Sequence, residues 1–328
     1  MTNIIGFQHI LVATDFSPHA EAALKQAIWI SRQSGAKIVL AHVLPDLRKA
    51  LISASSAARQ DMFYGQGDQL QREIREESTA RMRDLVAKLN ADDLGIRCET
   101  LLGDPSIAII HAVQQEKHDL VLVGTRNKSV WERFVMGSTA KRLIRNCPVP
   151  VWTVNAATDG PPKVVLAATD FSDVSRKAVQ LGRRIARQTD AKFHLLHVID
   201  SKDIPQGAIE RIAPGNTLRD EIDSEAKKRM AEFVHSLDVN SDQIRTHLTW
   251  GIPSQEVARL ADHLKIDLLV LGTVGRSGIK GVLLGNTAEK LLDTCDCSIL
   301  TVKPDGFVSP IDPPFWPLHP DSQIKAEV

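Results

Sequence analysis

"HILVATDFS" (9–17) and "VVLAATDFS" (164–172) read as two copies of one strand and the turn that follows it. They set Asp15 and Asp170 155 positions apart. "VLAHV" (39–43) returns as "HLLHV" (194–198) at the same offset. "HDLVLVGT" (118–125) and "MGSTAKRLI" (136–144) return as "IDLLVLGT" (266–273) and "LGNTAEKLL" (284–292), now 148 positions on. Self-similarity of this kind marks a structural unit copied along the chain. The fall of seven in the offset puts extra residues in the middle of the first copy, where "ISASSAARQDMFYGQGDQ" (52–69) reads as a loop. Two like domains are expected, 1–157 and 162–304, joined around "NAATDGPP" (155–162). The remaining 305–328 is a proline-rich tail, expected to be extended, in which Phe307 and Trp316 are candidates to dock on the body or a neighbour.

Within a copy, short runs rich in β-branched residues alternate with helical patterns. In the first copy the pattern predicts strands near 8–14, 37–43, 96–101, 119–124 and 149–154. Helices are predicted near 18–34, 68–90, 105–117 and 138–146. The strands are continuously apolar, as expected when both faces are covered. Ser17 and Pro18 form a helix start, and Gly35 a helix end. Strand–helix alternation predicts an α/β fold: two tandem, doubly wound, five-stranded parallel-sheet domains. In such sheets ligands sit beyond the carboxyl ends of the strands, at the switch point. Asp15 and Asp170 end the first strand of each copy, and Gly124 and Gly272 end the fourth.

Composition narrows the classes. The 328 residues carry forty basic and forty acidic side chains, so no broad attraction to nucleic acid or to an anionic membrane is expected. No apolar run has the length of a membrane span. The start, "MTNIIGFQHILVATDFS", lacks a charged region and a small-residue cleavage site, and is not read as a signal peptide. Cys98, Cys147, Cys295 and Cys297 are too few for a disulfide framework and suit buried thiols in a cytoplasmic protein. Cys295 and Cys297 would chelate a metal only with further ligands nearby.

The chemistry concentrates after the fourth strand. In "GTVGRSGIKGVLLGNTAEK" (272–290) the spacing is Gly272, two residues, Gly275, nine residues, Gly285-Asn286-Thr287. These glycines either hold a phosphate or only turn the chain. Glycine at a strand end admits a ligand close to the backbone, and free N–H groups at the next helix form an anion site. Alternatively, Asn286 with Glu289 three residues on is a capping box that needs no ligand. The first copy differs: Asn127 stands at the second glycine, "SVWERFV" (129–135) fills the loop, and Lys141 occupies the place of Glu289. Ser138 reads as its N-cap. Lys141 either favours an anion or points into water. Asp15 and Asp170 either contact a ligand hydroxyl or metal, or cap the next turn. His42 and His197 occupy matched positions and read as packed or hydrogen-bonded residues. His194 and His197, three apart on a strand, face opposite sides and cannot share an ion. No zinc spacing, G-x-S-x-G elbow, Walker A loop or Rossmann glycine motif is present.

This combination resembles the universal stress protein family over about 5–155 and 162–304, in tandem form and closest to its E-type subgroup. The nucleotide signature of that family is Gly, two residues, Gly, nine residues, Gly, then Ser or Thr; "GTVGRSGIKGVLLGN" is similar to it, with Asn286 at the last position. The resemblance implies ATP or another adenine nucleotide, with Mg²⁺ as an accompanying ion. Thr169 and Asp170 would line the adenosine side and the Val198 backbone would meet the base. Gly272, Gly275, Gly285, Asn286 and Thr287 would bracket the phosphates. Thr14, Asp15, Val43, Gly124, Gly137, Ser138 and Thr139 match in the first copy, but Asn127 does not, so binding is expected mainly in the second. It further implies a cytoplasmic, homodimeric protein with a regulatory or protective role. No general base beside an attacking water is assignable, so hydrolysis, if any, is expected to be slow. ATP pyrophosphatases of the same superfamily carry S-G-G-x-D-S after the first strand, where this chain has "ATDFS". A non-nucleotide scaffold, with a lipid-like ligand or a partner protein in the cleft, is the other reading.

Overall fold

The computed structural model describes residues 6–47, 60–125, 136–157, 160–200, 217–237, 244–275 and 284–312. They fall into two compact units. The first takes in the described residues up to Thr125, from Gly137 to Gly160 and from Val308 onward; the second takes in Met136 and Pro161–Phe307. The first unit runs β1 (His9–Thr14), α1 (Pro18–Ser34), β2 (Lys37–Leu44), α2 (Gln60–Lys88), β3 (Arg97–Leu102), α3 (Pro105–Glu116), β4 (Leu120–Gly124), α4 (Ser138–Asn146) and β5 (Val151–Val154). Its strands lie in the order β3-β2-β1-β4-β5, each pair parallel. The second repeats this as β6 (Val164–Ala168), α5 (Asp173–Thr189), β7 (Lys192–Ile199), α6 (Thr217–His235), β8 (Ile244–Trp250), α7 (Pro253–Leu264), β9 (Leu268–Gly272), α8 (Asn286–Thr294) and β10 (Ser298–Val302). Its order is β8-β7-β6-β9-β10, again parallel.

Parallel strands need long crossovers, and the helices supply them while covering both faces. Ile10, Leu11, Val12, Leu120, Val121 and Leu122 are therefore fully buried, as are Val165, Leu166, Leu268, Leu269 and Val270. Helix ends follow the local chemistry. Ser17 Oγ accepts from the Ala20 amide at 3.2 Å, Pro18 opens α1, and Gly35 closes it in the left-handed conformation (φ 72°). Ser172 caps α5 in the same way, accepting from the Ser175 amide at 3.3 Å. The reading of 52–69 as a loop is corrected from Gln60 onward: α2 begins there, eight residues before the predicted start at 68. Gly65 and Gly67 lie inside that helix, whose 29-residue length outweighs the weak propensity of two glycines. The loop residues 52–59, together with Asn127, 129–135 and Trp316, lie outside the described residues.

Each chain trace leaves the central strand (β1 or β6), moves outward by two strands, and returns to the other side at β4 or β9. The reversal opens a crevice beyond the carboxyl ends of those two strands. Gly124 and Gly272 stand at its floor, and both are glycine for packing. A Cβ on Gly124 would sit 2.4 Å from the His19 carbonyl carbon and 2.6 Å from the Ala20 nitrogen. On Gly272 it would meet Val174 Cγ1 at 2.9 Å. Helices α1 and α5 therefore approach the sheet as closely as the missing side chains allow. Among the described residues, no helix is long and apolar enough to cross a membrane.

Candidate functional site

The turn after β6 is built by its own side chains. Thr169 Oγ1 accepts from the Phe171 amide at 3.0 Å, and Asp170 Oδ1 accepts from the Ser172 amide (3.0 Å) and hydroxyl (2.6 Å). Phe171 is thereby held at φ 66°, a region costly for a residue with a side chain. Aromatic packing offsets the cost: its ring lies 4.2 Å from that of His197, with the Arg229 guanidinium 5.2 Å away. His197 in turn donates from Nδ1 to the Thr169 carbonyl at 2.8 Å. The first unit repeats the arrangement. Phe16 has φ 63° and packs on His42, which donates to the Thr14 carbonyl at 2.7 Å. The matched histidines are thus hydrogen-bonded braces of the turn. Asp15 and Asp170 do cap it, and Asp170 has its second oxygen aimed elsewhere: a Cβ on Gly275 would lie 2.8 Å from Asp170 Oδ2. Position 275 admits only glycine while that carboxylate keeps its place.

Helix α8 does not form the capping box that was the alternative reading of Asn286 and Glu289. Gly285, in extended conformation, is its N-cap, and no side chain caps it. Asn286, Thr287 and Ala288 are the first three helical residues, and the Glu289 amide bonds back to the Gly285 carbonyl at 2.9 Å. In the first unit Gly137, not Ser138, is likewise the uncapped N-cap of α4, with Ser138 and Thr139 in the first turn. The physical reason is that glycine at the N-cap leaves the donors unused by any side chain, whereas Asn or Ser there would occupy one. A second correction concerns Gly285 itself: its N–H donates to the Thr273 carbonyl at 2.7 Å, so it locks the loop end to the strand and is not available to a ligand.

Around these elements the second unit has a cavity of about 850 Å³. Every residue singled out from the second copy lines it: Thr169, Asp170, Val198, Gly272, Gly275, Gly285, Asn286 and Thr287. Three of the other lining residues bear on its chemistry. Ser254 stands at the start of α7, whose N-cap Ile252 contributes no side-chain bond, so a second uncapped helix end faces the cavity. Asp200 follows β7. Lys290, one helical turn after Asn286, is an exposed cation near a helix start, where a neighbouring anion is favourable.

Comparison of the two units gives Lys290 its meaning. Its counterpart Arg142 is paired with Asp104 at 3.0 Å. Asp104 is the N-cap of α3, accepting from the Ser106 hydroxyl and the amides of Ser106 and Ile107. Those bonds, that of the Ser106 hydroxyl foremost, hold its carboxyl below the usual carboxylate range. The position matching Asp104 is Ile252, and among the described residues Lys290 has no ion pair. One substitution thus removes the acid that neutralises the cation, uncaps α7 and adds an apolar wall. The spacing of "GDPS" (103–106) against "GIPS" (251–254) carried this signal in the sequence. The first-unit residues Thr14, Asp15, Val43, Gly124, Gly137, Ser138 and Thr139 occupy the matching strand ends and helix start.

The model of the "Universal stress protein family" matches residues 6–155 and 162–303. The chain belongs to the universal stress protein family. The two matches are its two units, and the family is one of stress-response proteins. Universal stress protein E of Escherichia coli K12 is 26% identical over 321 residues, covering 93% of this chain and 97% of its own length. That of Photorhabdus laumondii is 24% identical over 316 residues, covering 93% and 98%. A universal stress protein from Pseudomonas aeruginosa UCBPP-PA14 has the same fold, with a TM-score of 0.64 at 21% identity over 92% of this chain and 95% of its own.

Proposed function

We propose that this member of the family binds an adenine nucleotide, ATP with Mg²⁺, in the cleft of its second unit, and that binding is regulatory or protective in the stress response. The observation that carries the reading is the pairing of uncapped α8 amides at Asn286, Thr287 and Ala288 with Lys290, a cation without an ion pair among the described residues, on one cavity wall. Backbone donors at a helix start and a nearby ammonium favour phosphate oxygens. Other lining residues suit the rest of the nucleotide. Asp170 and Asp200 offer acceptors for ribose hydroxyls, while Leu196, Val198, Ile252 and Val257 offer an apolar surface for a base. Cavities of about 300–1,000 Å³ suit small ligands and cofactors, and 850 Å³ lies in that range. Gly275 keeps the backbone and Asp170 close together at the cavity.

The first unit binds more weakly or not at all, because Asp104 neutralises Arg142 where the phosphates would lie. No general base is assigned among the described residues of the cleft, and turnover of ATP, if any, is expected to be slow. The cytoplasmic setting suits the buried thiols of Cys147, Cys295 and Cys297, and fractionation checks it. A homodimer belongs to the same reading and is checked by light scattering. Titration calorimetry with ATP and Mg²⁺ tests the central point. Wild type binds at one site per chain and Gly275→Val loses it; equal binding by both proteins refutes the assignment. The apolar wall around exposed Ile252 also suits an acyl chain, and native mass spectrometry of freshly purified protein separates the two by the mass that co-purifies.

A further inference from the structure

The second unit carries a second concave site at the opposite end of its sheet, where the strands begin. It has a volume of about 380 Å³, and Arg183 and Arg187 of α5, Lys192 at the start of β7 and Arg245 on β8 line it. Asp190, the left-handed C-cap of α5, is the single carboxylate among its lining residues. Lys192 begins the strand whose far end, at Val198, borders the nucleotide cleft. Six residues of extended chain separate the two by about 20 Å. The two sites are therefore distinct.

Arg183 decides how the site is read. It is only 7% exposed, and its Nη1 is buried without a hydrogen-bond partner. Among the described residues none of the four cations has an ion pair. Burial first, and then the Arg187 guanidinium, lower its affinity for its proton. A buried guanidinium without a counter-charge is among the most costly groups in a folded protein, and guanidinium remains protonated. Arg187 alone is explained by the helix dipole at the end of α5. That explanation does not extend to Arg183, one turn further in, or to Arg245 on a neighbouring strand.

The first unit shows how the same corner looks when it is closed. Ile28 stands at the position of Arg183 and is buried apolar core. Arg97, the counterpart of Arg245, is held by Glu99 at 2.7 Å and by Glu116. Arg32, the counterpart of Arg187, lies 3.8 Å from Asp93 and donates to the Asn90 carbonyl. In the second unit His247 replaces Glu99 and Leu264 replaces Glu116. The internal acids have been removed and a buried cation added, all at one corner.

We infer that this corner of the second unit is a binding site for a compact polyphosphate anion, separate from the nucleotide cleft. The fork of Arg183 grips the anion from the buried side and Arg187, Lys192 and Arg245 close around it from the rim, as guanidinium groups do with phosphate oxygens. Inorganic tripolyphosphate is the probe, with pyrophosphate and orthophosphate as shorter controls. Binding is measured by calorimetry on the full chain carrying Gly275→Val and Lys290→Gln, which together weaken anion binding in the nucleotide cleft. One site per chain is expected, tightening with anion length and weakening as salt is raised. Arg183→Met weakens it at least tenfold. Arg245→Gln, at an exposed position that folding tolerates, weakens it at least threefold and keeps the test open should Arg183→Met fail to fold. Absence of binding in the parent, or equal affinity in the parent and Arg245→Gln, overturns the inference.

Discussion

His194 and His247 supply a prediction with a worked magnitude. His194 is 3% exposed, with Nδ1 2.8 Å from His247 Nε2 and the rings stacked at 5.1 Å. Burial, and then the neighbouring His247, Arg245 and Lys192, push its pKa from 6.5 down to about 4. The folded state therefore refuses a proton that the unfolded chain accepts below pH 6.5. Where the unfolded state binds more protons, stability rises with pH, so acidification from 6.5 to 4 removes stability. The gap corresponds to about 3 kcal/mol at 25 °C, an upper bound because His247 shares the interaction. Below pH 4 the contribution flattens, since both states are then protonated. The perturbation is His194→Gln, which keeps a hydrogen-bonding side chain and removes the titration. Urea unfolding followed by circular dichroism at pH 7, 6, 5 and 4 reads the difference. Wild type is expected to lose up to about 3 kcal/mol more than the variant over that span. Parallel losses, or a His194 resonance titrating near 6.5, would refute the reasoning.

Further outcomes follow from single contacts. Gly124→Ala drives a methyl into the backbone at His19 and Ala20, whereas Gly272→Ala meets a side-chain methyl of Val174; thermal unfolding should show the first costing about 2–3 kcal/mol and the second about 1 kcal/mol. Asp104→Ala removes the cap of α3 and the partner of Arg142, and should destabilise the chain by about 1 kcal/mol in urea titrations. Lys290→Gln should weaken ATP in calorimetry by roughly three- to tenfold and flatten its salt dependence, while leaving the melting temperature of the ligand-free protein unchanged.

Much of the fold was legible because parallel sheets write themselves plainly. Continuous apolar runs such as "ILVA" (10–13) need no register, and Ser17, Pro18 and Gly35 mark helix ends by their own chemistry. The start of α2 was missed because small and polar residues around Gly65 and Gly67 carry little local preference. The glycine-rich residues of the second cleft were legible from their spacing, Thr169, Asp170 and Val198 were implied by the family resemblance, and the structure gathers all eight on one cavity. Their roles were less so. The N-cap falls on Gly285, and Gly272 answers to Val174, because backbone geometry and close packing leave no trace in residue type alone. Phe16 and Phe171 in left-handed conformation had no local signal either, since their stability comes from His42 and His197 on another strand. Lys290 and the basic corner emerge only when the two copies are set side by side and the loss of Asp104, Glu99 and Glu116 is noticed.

A crystal structure of the full chain grown with ATP and Mg²⁺ tests the central claim most directly. The phosphates should lie within hydrogen-bond reach of the amides of Asn286, Thr287 and Ala288, with Lys290 alongside and the base against Val198. A nucleotide bound elsewhere, or an acyl chain filling the same cavity at saturating ATP, would contradict it.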